Sequence, residues 1–176
     1  MTSLPQYRQI NNVIQQDRRY GCIPWAIEWS IRYKHLITGQ WRIPVNSLNT
    51  FQQDYNLYVR TNRTTPNTFS TILNEIRKNH SRTRLYHYQR FQQGAGNRKI
   101  LFIEKQILKG NPCIMPLKLT RTSTHIMPVV EVDSNKFKMI WEIQQNGALV
   151  IFQVPKSVLI NIHDSNLSGK AFIVVR

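Results

Sequence analysis

The sequence predicts an α+β fold in which helices form the first half and an antiparallel β-sheet forms the second. Apolar residues recur at helical spacing early in the chain, whereas the later part contains short β-rich runs separated by turn signals. No internal repeat and no long Pro/Gly/Ser linker interrupts the 176 residues. We therefore expect one domain over residues 1–176, which is long enough to bury a core.

The clearest predicted helix runs from Cys22 to Leu36. Ile23, Ile27 and Ile31 are four residues apart and have two tryptophans beside them, which places a wide apolar stripe on the helix. A proline in the first turn costs no hydrogen bond, and Gly39 follows the helix as a stop signal. Two further helices are predicted over residues 47–58 and 66–78.

The second half is predicted to begin with a short helix over residues 98–109 that Gly110 closes. Turn signals follow at residues 133–136 and at 145–147, where an Asn-Gly pair favours a hairpin. These signals separate predicted strands over residues 113–119, 125–132, 137–143, 148–154 and 171–175.

The chain is strongly basic, with 24 Lys and Arg against 9 Asp and Glu and a net charge of +15. No acid lies between Glu75 and Glu104, whereas seven basic residues do. Such a field attracts nucleic acid, anionic lipid or an acidic protein, but a basic solvated face also serves solubility. No apolar run is long enough to span a membrane and no secretory signal is present, so we expect a cytoplasmic protein.

Cys22 has a sequence context that favours a reactive thiol. It is predicted at the start of an apolar helix, where the positive end of the helix dipole stabilises a thiolate, and Gly21 before it is expected to leave the sulfur reachable. Gln16 lies six residues earlier, so a loop can bring its amide beside the sulfur as an oxyanion donor, with Gln15 as its immediate rival. Cys113, in an apolar run, is expected to be a core residue.

His125 is the candidate base for this thiol. It opens an apolar strand and follows polar residues, so its ring is expected at the strand's end, at the edge of the core. A hairpin through residues 133–136 pairs residues whose numbers sum to about 269, which brings Glu142 within diagonal reach of His125. Glu142 is therefore the candidate orienting acid, and Asp133 is the alternative.

These features together resemble the papain-like cysteine peptidases, and most closely the C39-like peptidases related to bacteriocin-processing leader peptidases. The features that match are Gln16 six residues before Cys22 at a helix start, residues 109–112 before a strand, and His125 heading an apolar strand. The resemblance implies a papain-like fold with N-terminal helices packed on a C-terminal antiparallel sheet. It also implies Cys22 as nucleophile, His125 as general base and acid, Glu142 as orienter and Gln16 as oxyanion donor.

The function implied is thiol-dependent acyl transfer on a peptide or protein substrate, for which no cofactor is required. Two cysteines without a CxxC pair also argue against a structural zinc site. A deamidase or acyltransferase would use the same groups. The rival interpretation is a non-catalytic basic module that binds nucleic acid or an acidic protein through residues 77–99, where Tyr86, Tyr88 and Phe91 are interleaved.

Overall fold

The structure is a computed structural model that describes residues 2–10, 21–39, 51–53, 75, 78, 86–90, 95–118, 124–144, 146–158 and 171–175. Within these residues the chain forms seven strands and two long helices. The helices are α1 (Cys22–Thr38) and α2 (Gly96–Leu108), and a short 3-10 helix spans Tyr7–Gln9. The strands are β1 (Thr2–Ser3), β2 (Tyr86–Arg90), β3 (Cys113–Lys118), β4 (Thr124–Val132), β5 (Lys136–Ile143), β6 (Leu149–Pro155) and β7 (Ala171–Val175).

The strands form one sheet in the order β2-β7-β3-β4-β5-β6, and all of their pairings are antiparallel. The first strand, β1, pairs with the end of β4, where Thr2 lies opposite Val132. The predicted α+β layout is thereby confirmed, and the five predicted strands agree with the observed ones to within a residue or so. Strands β1 and β2 were not predicted: β1 has only two residues, and β2 lies in the stretch that was interpreted as a basic binding segment.

Helix α1 is enclosed by protein over its first three turns. Every residue from Gly21 to Ile31 is buried, so burial extends around the whole circumference of this part of the helix and is not confined to the predicted apolar stripe. A helix that is apolar on nearly all sides belongs in a core. It packs against β3, β4 and β7, and it ends at Gly39, whose φ of 60° is the left-handed conformation that suits glycine.

The polar side chains inside α1 have partners close by. Glu28 is buried and pairs with Nε of Arg32 at 2.8 Å, and it also accepts a hydrogen bond from Gln52. The Ser30 hydroxyl donates to the Ala26 carbonyl at 2.8 Å. Burial raises the pKa of Glu28 even though both partners oppose the shift. The contact with Gln52 places residues 51–53, which are helical, beside α1.

The other predicted helical segments fall mostly outside the described residues. Within residues 47–58 the structure describes 51–53, and within 66–78 it describes Glu75 and Lys78, which are helical and form an ion pair at 2.6 Å. In the described part of the chain, no helix has the length and hydrophobicity that crossing a membrane requires.

The β4–β5 hairpin has the predicted register near its turn, where Val132 lies opposite Phe137 and Glu131 opposite Lys138. An irregularity between Glu131 and Val129 shifts the register by one residue, so that Val129 lies opposite Met139. The turn between the strands is held by Asp133, whose Oδ1 accepts hydrogen bonds from the backbone N–H groups of Asn135 and Lys136, each at 2.8 Å. These two bonds lower the pKa of Asp133.

The amino-terminal segment is tied to the sheet by a buried acid. Glu131 on β4 accepts a hydrogen bond from the Tyr7 hydroxyl at 2.8 Å and pairs with Lys138 on β5 at 2.5 Å. Burial opposes ionisation of Glu131, but the bonds from Lys138 and Tyr7 outweigh it and lower the pKa of the carboxyl. Burial and the neighbouring carboxylate raise the pKa of Tyr7 to about 12.

Candidate functional site

Cys22 is the first residue of α1, as predicted. The amide of Trp25 donates to the Gly21 carbonyl at 3.0 Å, which closes the first helical turn around Pro24. No Asp or Glu lies in this turn, so no carboxylate competes for the positive end of the helix dipole. The expectation of a reachable sulfur is not met in this conformation, because Cys22 is only 4% exposed.

The predicted oxyanion donor, Gln16, and its rival, Gln15, lie outside the described residues. Their role therefore stays a prediction. Cys113 lies within β3 and is fully buried, as expected for a core residue. Burial raises the pKa of its thiol well above the ordinary value, which makes Cys113 a poor nucleophile.

His125 is the second residue of β4 and lies opposite Leu117 on β3. Its side chain is half-buried at the end of the strand, where the sequence placed it. Because α1 packs against β4, the two elements that carry Cys22 and His125 are neighbours. A direct hydrogen bond between the thiol and the imidazole stays a prediction.

The Nε2 atom of His125 lies 3.1 Å from the main-chain oxygen of Trp141 on β5. The Trp141 ring also packs against the imidazole, with ring centres 4.5 Å apart and planes inclined by 44°. The indole also contacts the ring of Phe152 on β6, with ring centres 5.6 Å apart. One residue therefore supplies both a hydrogen-bond acceptor and an apolar wall to His125.

Glu142, the predicted orienting acid, is exposed and follows Trp141 in β5. Its contribution to His125 is through charge, because the carboxylate favours the imidazolium form. Asp133, the alternative, is at the opposite end of β4. Eight residues of strand separate it from His125, about 26 Å at 3.3 Å per residue, and its Oδ1 is engaged in the hairpin turn. This geometry gives Asp133 a structural role.

Burial in this aromatic surrounding lowers the pKa of His125, while the bond to Trp141 and the charge of Glu142 act in the opposite direction. A neutral imidazole is therefore favoured near pH 7, as a proton acceptor requires. The unfolded chain binds the proton more readily than the folded chain, so the contribution of His125 to the free energy of unfolding rises with pH. That contribution is fully present above about 6.5, the ordinary histidine pKa, and is lost as the pH falls through the lowered pKa of the folded state.

The turn over residues 109–112, which the sequence analysis singled out, connects α2 to β3 beside α1. Lys34 of α1 donates to the Asn111 side chain at 3.0 Å and contacts the Gly110 carbonyl at 3.4 Å. Asn111 in turn donates to Gln106 at 3.0 Å. Gly110 has a φ of 69° and makes the turn possible. These contacts connect the last turns of α1 to the turn that precedes β3.

Comparison with known proteins does not identify the chain. No protein-family model matches it, and no curated protein matches its sequence. Among solved structures, it is similar to the crystal structure of the Pseudomonas avirulence protein AvrPphB, with 14% identity, coverage of 97% of this chain and 98% of that chain, and a TM-score of 0.39. A likeness at this TM-score and identity establishes neither the family nor the function of this chain.

The electrostatics of His125 lead to a first prediction. We expect the NMR titration of its ring protons to have a midpoint below 6.5. Glu142→Gln should lower the midpoint further, because the carboxylate favours the charged ring.

Asp133→Asn is the matched control for this titration. It removes the same charge at a separation well beyond the screening length of about 8 Å in physiological salt, and should leave the midpoint unchanged. A wild-type midpoint at or above 6.5, or equal effects of the two variants, would contradict this account of the site.

Proposed function

We propose that the protein is a cysteine peptidase or isopeptidase of the papain-like type that acts by thiol acyl transfer from Cys22. The observation that supports it best is the environment of His125. Its half-buried ring has Nε2 engaged by a main-chain oxygen, has its pKa lowered by burial, and lies on the strand against which the Cys22 helix packs. A base near a thiol at a helix N-terminus is the arrangement that nucleophilic catalysis requires.

In the proposed reaction, His125 takes the proton of Cys22 and the thiolate attacks a peptide or isopeptide carbonyl. The imidazolium then protonates the leaving amine, and water attacks the thioester to release the acyl group. The Cys22 N–H and the Gln16 amide are proposed to stabilise the oxyanion, each contributing roughly 3 kcal/mol if well placed. Glu142 is proposed to favour the imidazolium that forms when the proton is transferred.

Access to the sulfur is the step that the resting conformation limits. Since Cys22 is 4% exposed, a substrate carbonyl reaches it only after side chains above the helix start move aside. We therefore propose that the covering side chains move aside as the substrate binds, and that the bound substrate then excludes water and strengthens the electrostatic interactions within the site. The same chemistry with an amine acceptor, or on a glutamine amide, would make the protein an acyltransferase or deamidase.

The proposal predicts that the protein will cleave peptides in a diverse library, and mass spectrometry would detect the cleavage as new peptide termini. Cys22→Ala should reduce the rate at least about 10³-fold, since removal of a nucleophile leaves only binding and oxyanion effects.

Cys113→Ala is the control. Circular dichroism establishes whether this variant is folded, and the folded variant should retain turnover. Products with an added amine or a deamidated glutamine would redirect the assignment to transfer or deamidation. Turnover that persists in Cys22→Ala would rule out Cys22 as the nucleophile.

A second candidate function, binding of an acidic protein segment, is favoured by the outer face of α2. Three exposed basic residues, Arg98, Lys105 and Lys109, surround Leu101 and Leu108, which are 55% and 68% exposed. Glu104, the acid of this helix, is ion-paired with Lys156. The leucines are seven residues apart and so lie on one side of the helix, as in helix-to-helix recognition.

This second function predicts that α2 will bind an acidic helical peptide with leucines at seven-residue spacing. Lys105→Glu should weaken such binding at low salt, and Leu108→Ala should weaken it about tenfold, as expected for a leucine that becomes buried. Fluorescence anisotropy would measure both, with a single-stranded oligonucleotide as the competing probe. Binding that is insensitive to Leu108→Ala, with the oligonucleotide preferred, would instead favour the nucleic-acid alternative.

A further inference from the structure

Trp141 occupies an irregular position in β5. Ile140 lies opposite Ile151 of β6 and Glu142 lies opposite Val150, so Trp141 is the additional residue of a β-bulge between these two pairs. A bulge locally disrupts the regular ladder and re-aims the backbone of the residue it contains. The main-chain oxygen of this residue is the one that approaches Nε2 of His125 at 3.1 Å.

This contact determines which ring nitrogen of His125 carries the proton. A carbonyl oxygen has lone pairs and no hydrogen, so it can only accept. Nε2 must therefore be the donor, and in the neutral ring Nδ1 must be the unprotonated nitrogen. Nδ1 is then the atom that can take a proton from a thiol.

The side chain of Trp141 supports the same bond. Its ring lies against the imidazole, with ring centres 4.5 Å apart, and also contacts the ring of Phe152. Contact with the indole restricts rotation of the imidazole, and burial of His125 limits the access of water to it. Glu142 is exposed, so its carboxylate acts on the ring from the solvent side.

We propose that Trp141 is the positioning residue of the site: its bulged main-chain carbonyl holds Nε2–H of His125 and leaves Nδ1 as the base for Cys22. The orienting role assigned to a side-chain acid in the sequence analysis passes to the backbone, and Glu142 adds favourable charge. This inference rests on the proposed function for the identity of the proton donor, but the hydrogen bond and the tautomer do not depend on turnover.

The test is ¹⁵N and ¹H NMR of the ¹⁵N-histidine-labelled protein above the titration midpoint of His125. The five histidine signals are distinguished with the His125→Gln variant. We expect an Nε2–H proton resonance of His125 that is observable in water and an Nδ1 shift typical of an unprotonated nitrogen. Absence of a protected Nε2–H signal, or a proton on Nδ1, would overturn the inference.

Three variants separate the backbone from the side chains. Replacing the amide that follows Trp141 by an ester, through incorporation of the α-hydroxy analogue of Glu142, weakens the carbonyl as an acceptor and should speed exchange of the Nε2–H proton about tenfold. Glu142→Gln and Trp141→Phe keep the carbonyl and should keep the protected proton. If Glu142→Gln abolishes the signal and the ester does not, the acid is the orienter and the inference fails.

The two proposals can fail separately. A protected Nε2–H in a protein that cleaves no peptide would remove the peptidase assignment and leave the positioning contact intact. Cleavage that depends on Cys22 and His125, in a protein whose His125 carries its proton on Nδ1, would do the reverse.

Discussion

The burial of α1 against the antiparallel sheet is the constraint on which the rest of the structure depends. Residues 21–31 are enclosed, so the start of this helix, and with it Cys22, is fixed by packing on β3, β4 and β7. Close-packed interiors tolerate little displacement, and side chains held by them keep one geometry. A thiol placed in this way has its direction set by the core, and the neighbouring strand β4 brings in His125 under the same constraint.

Around His125 the sheet departs from regularity, and this departure has chemical consequences. The bulge at Trp141 directs a carbonyl toward Nε2, and the indole of the same residue lies against the ring. Burial keeps the imidazole neutral near pH 7, which is the protonation state that a base needs. Glu142 partly opposes the effect of burial, so the basicity of His125 reflects a balance between an apolar wall and an exposed charge.

The sequence was sufficient for the parts of the fold that follow repeating patterns. The isoleucine spacing predicted α1, and the turn at residues 133–136 predicted the β4–β5 register to within one residue. The contact between His125 and the Trp141 carbonyl could not be predicted from the sequence. Counting residue pairs from the turn assumes a regular ladder, and a β-bulge departs from it. Burial of Cys22 was also unpredictable, since it depends on elements distant in sequence, and Gln16 lies outside the described residues.

The central claim is that Cys22 and His125 act as a coupled pair, and its most direct test is the rate of Cys22 alkylation by a small reagent as a function of pH. Peptide mass spectrometry separates Cys22 from Cys113, whose buried thiol serves as an internal reference. Because Cys22 is 4% exposed, we expect a low absolute rate, but we predict that the Cys22 reaction persists well below pH 8 and is lost in His125→Ala. A rate that titrates near 8.5, the ordinary value for a thiol, and is the same in the variant would contradict it.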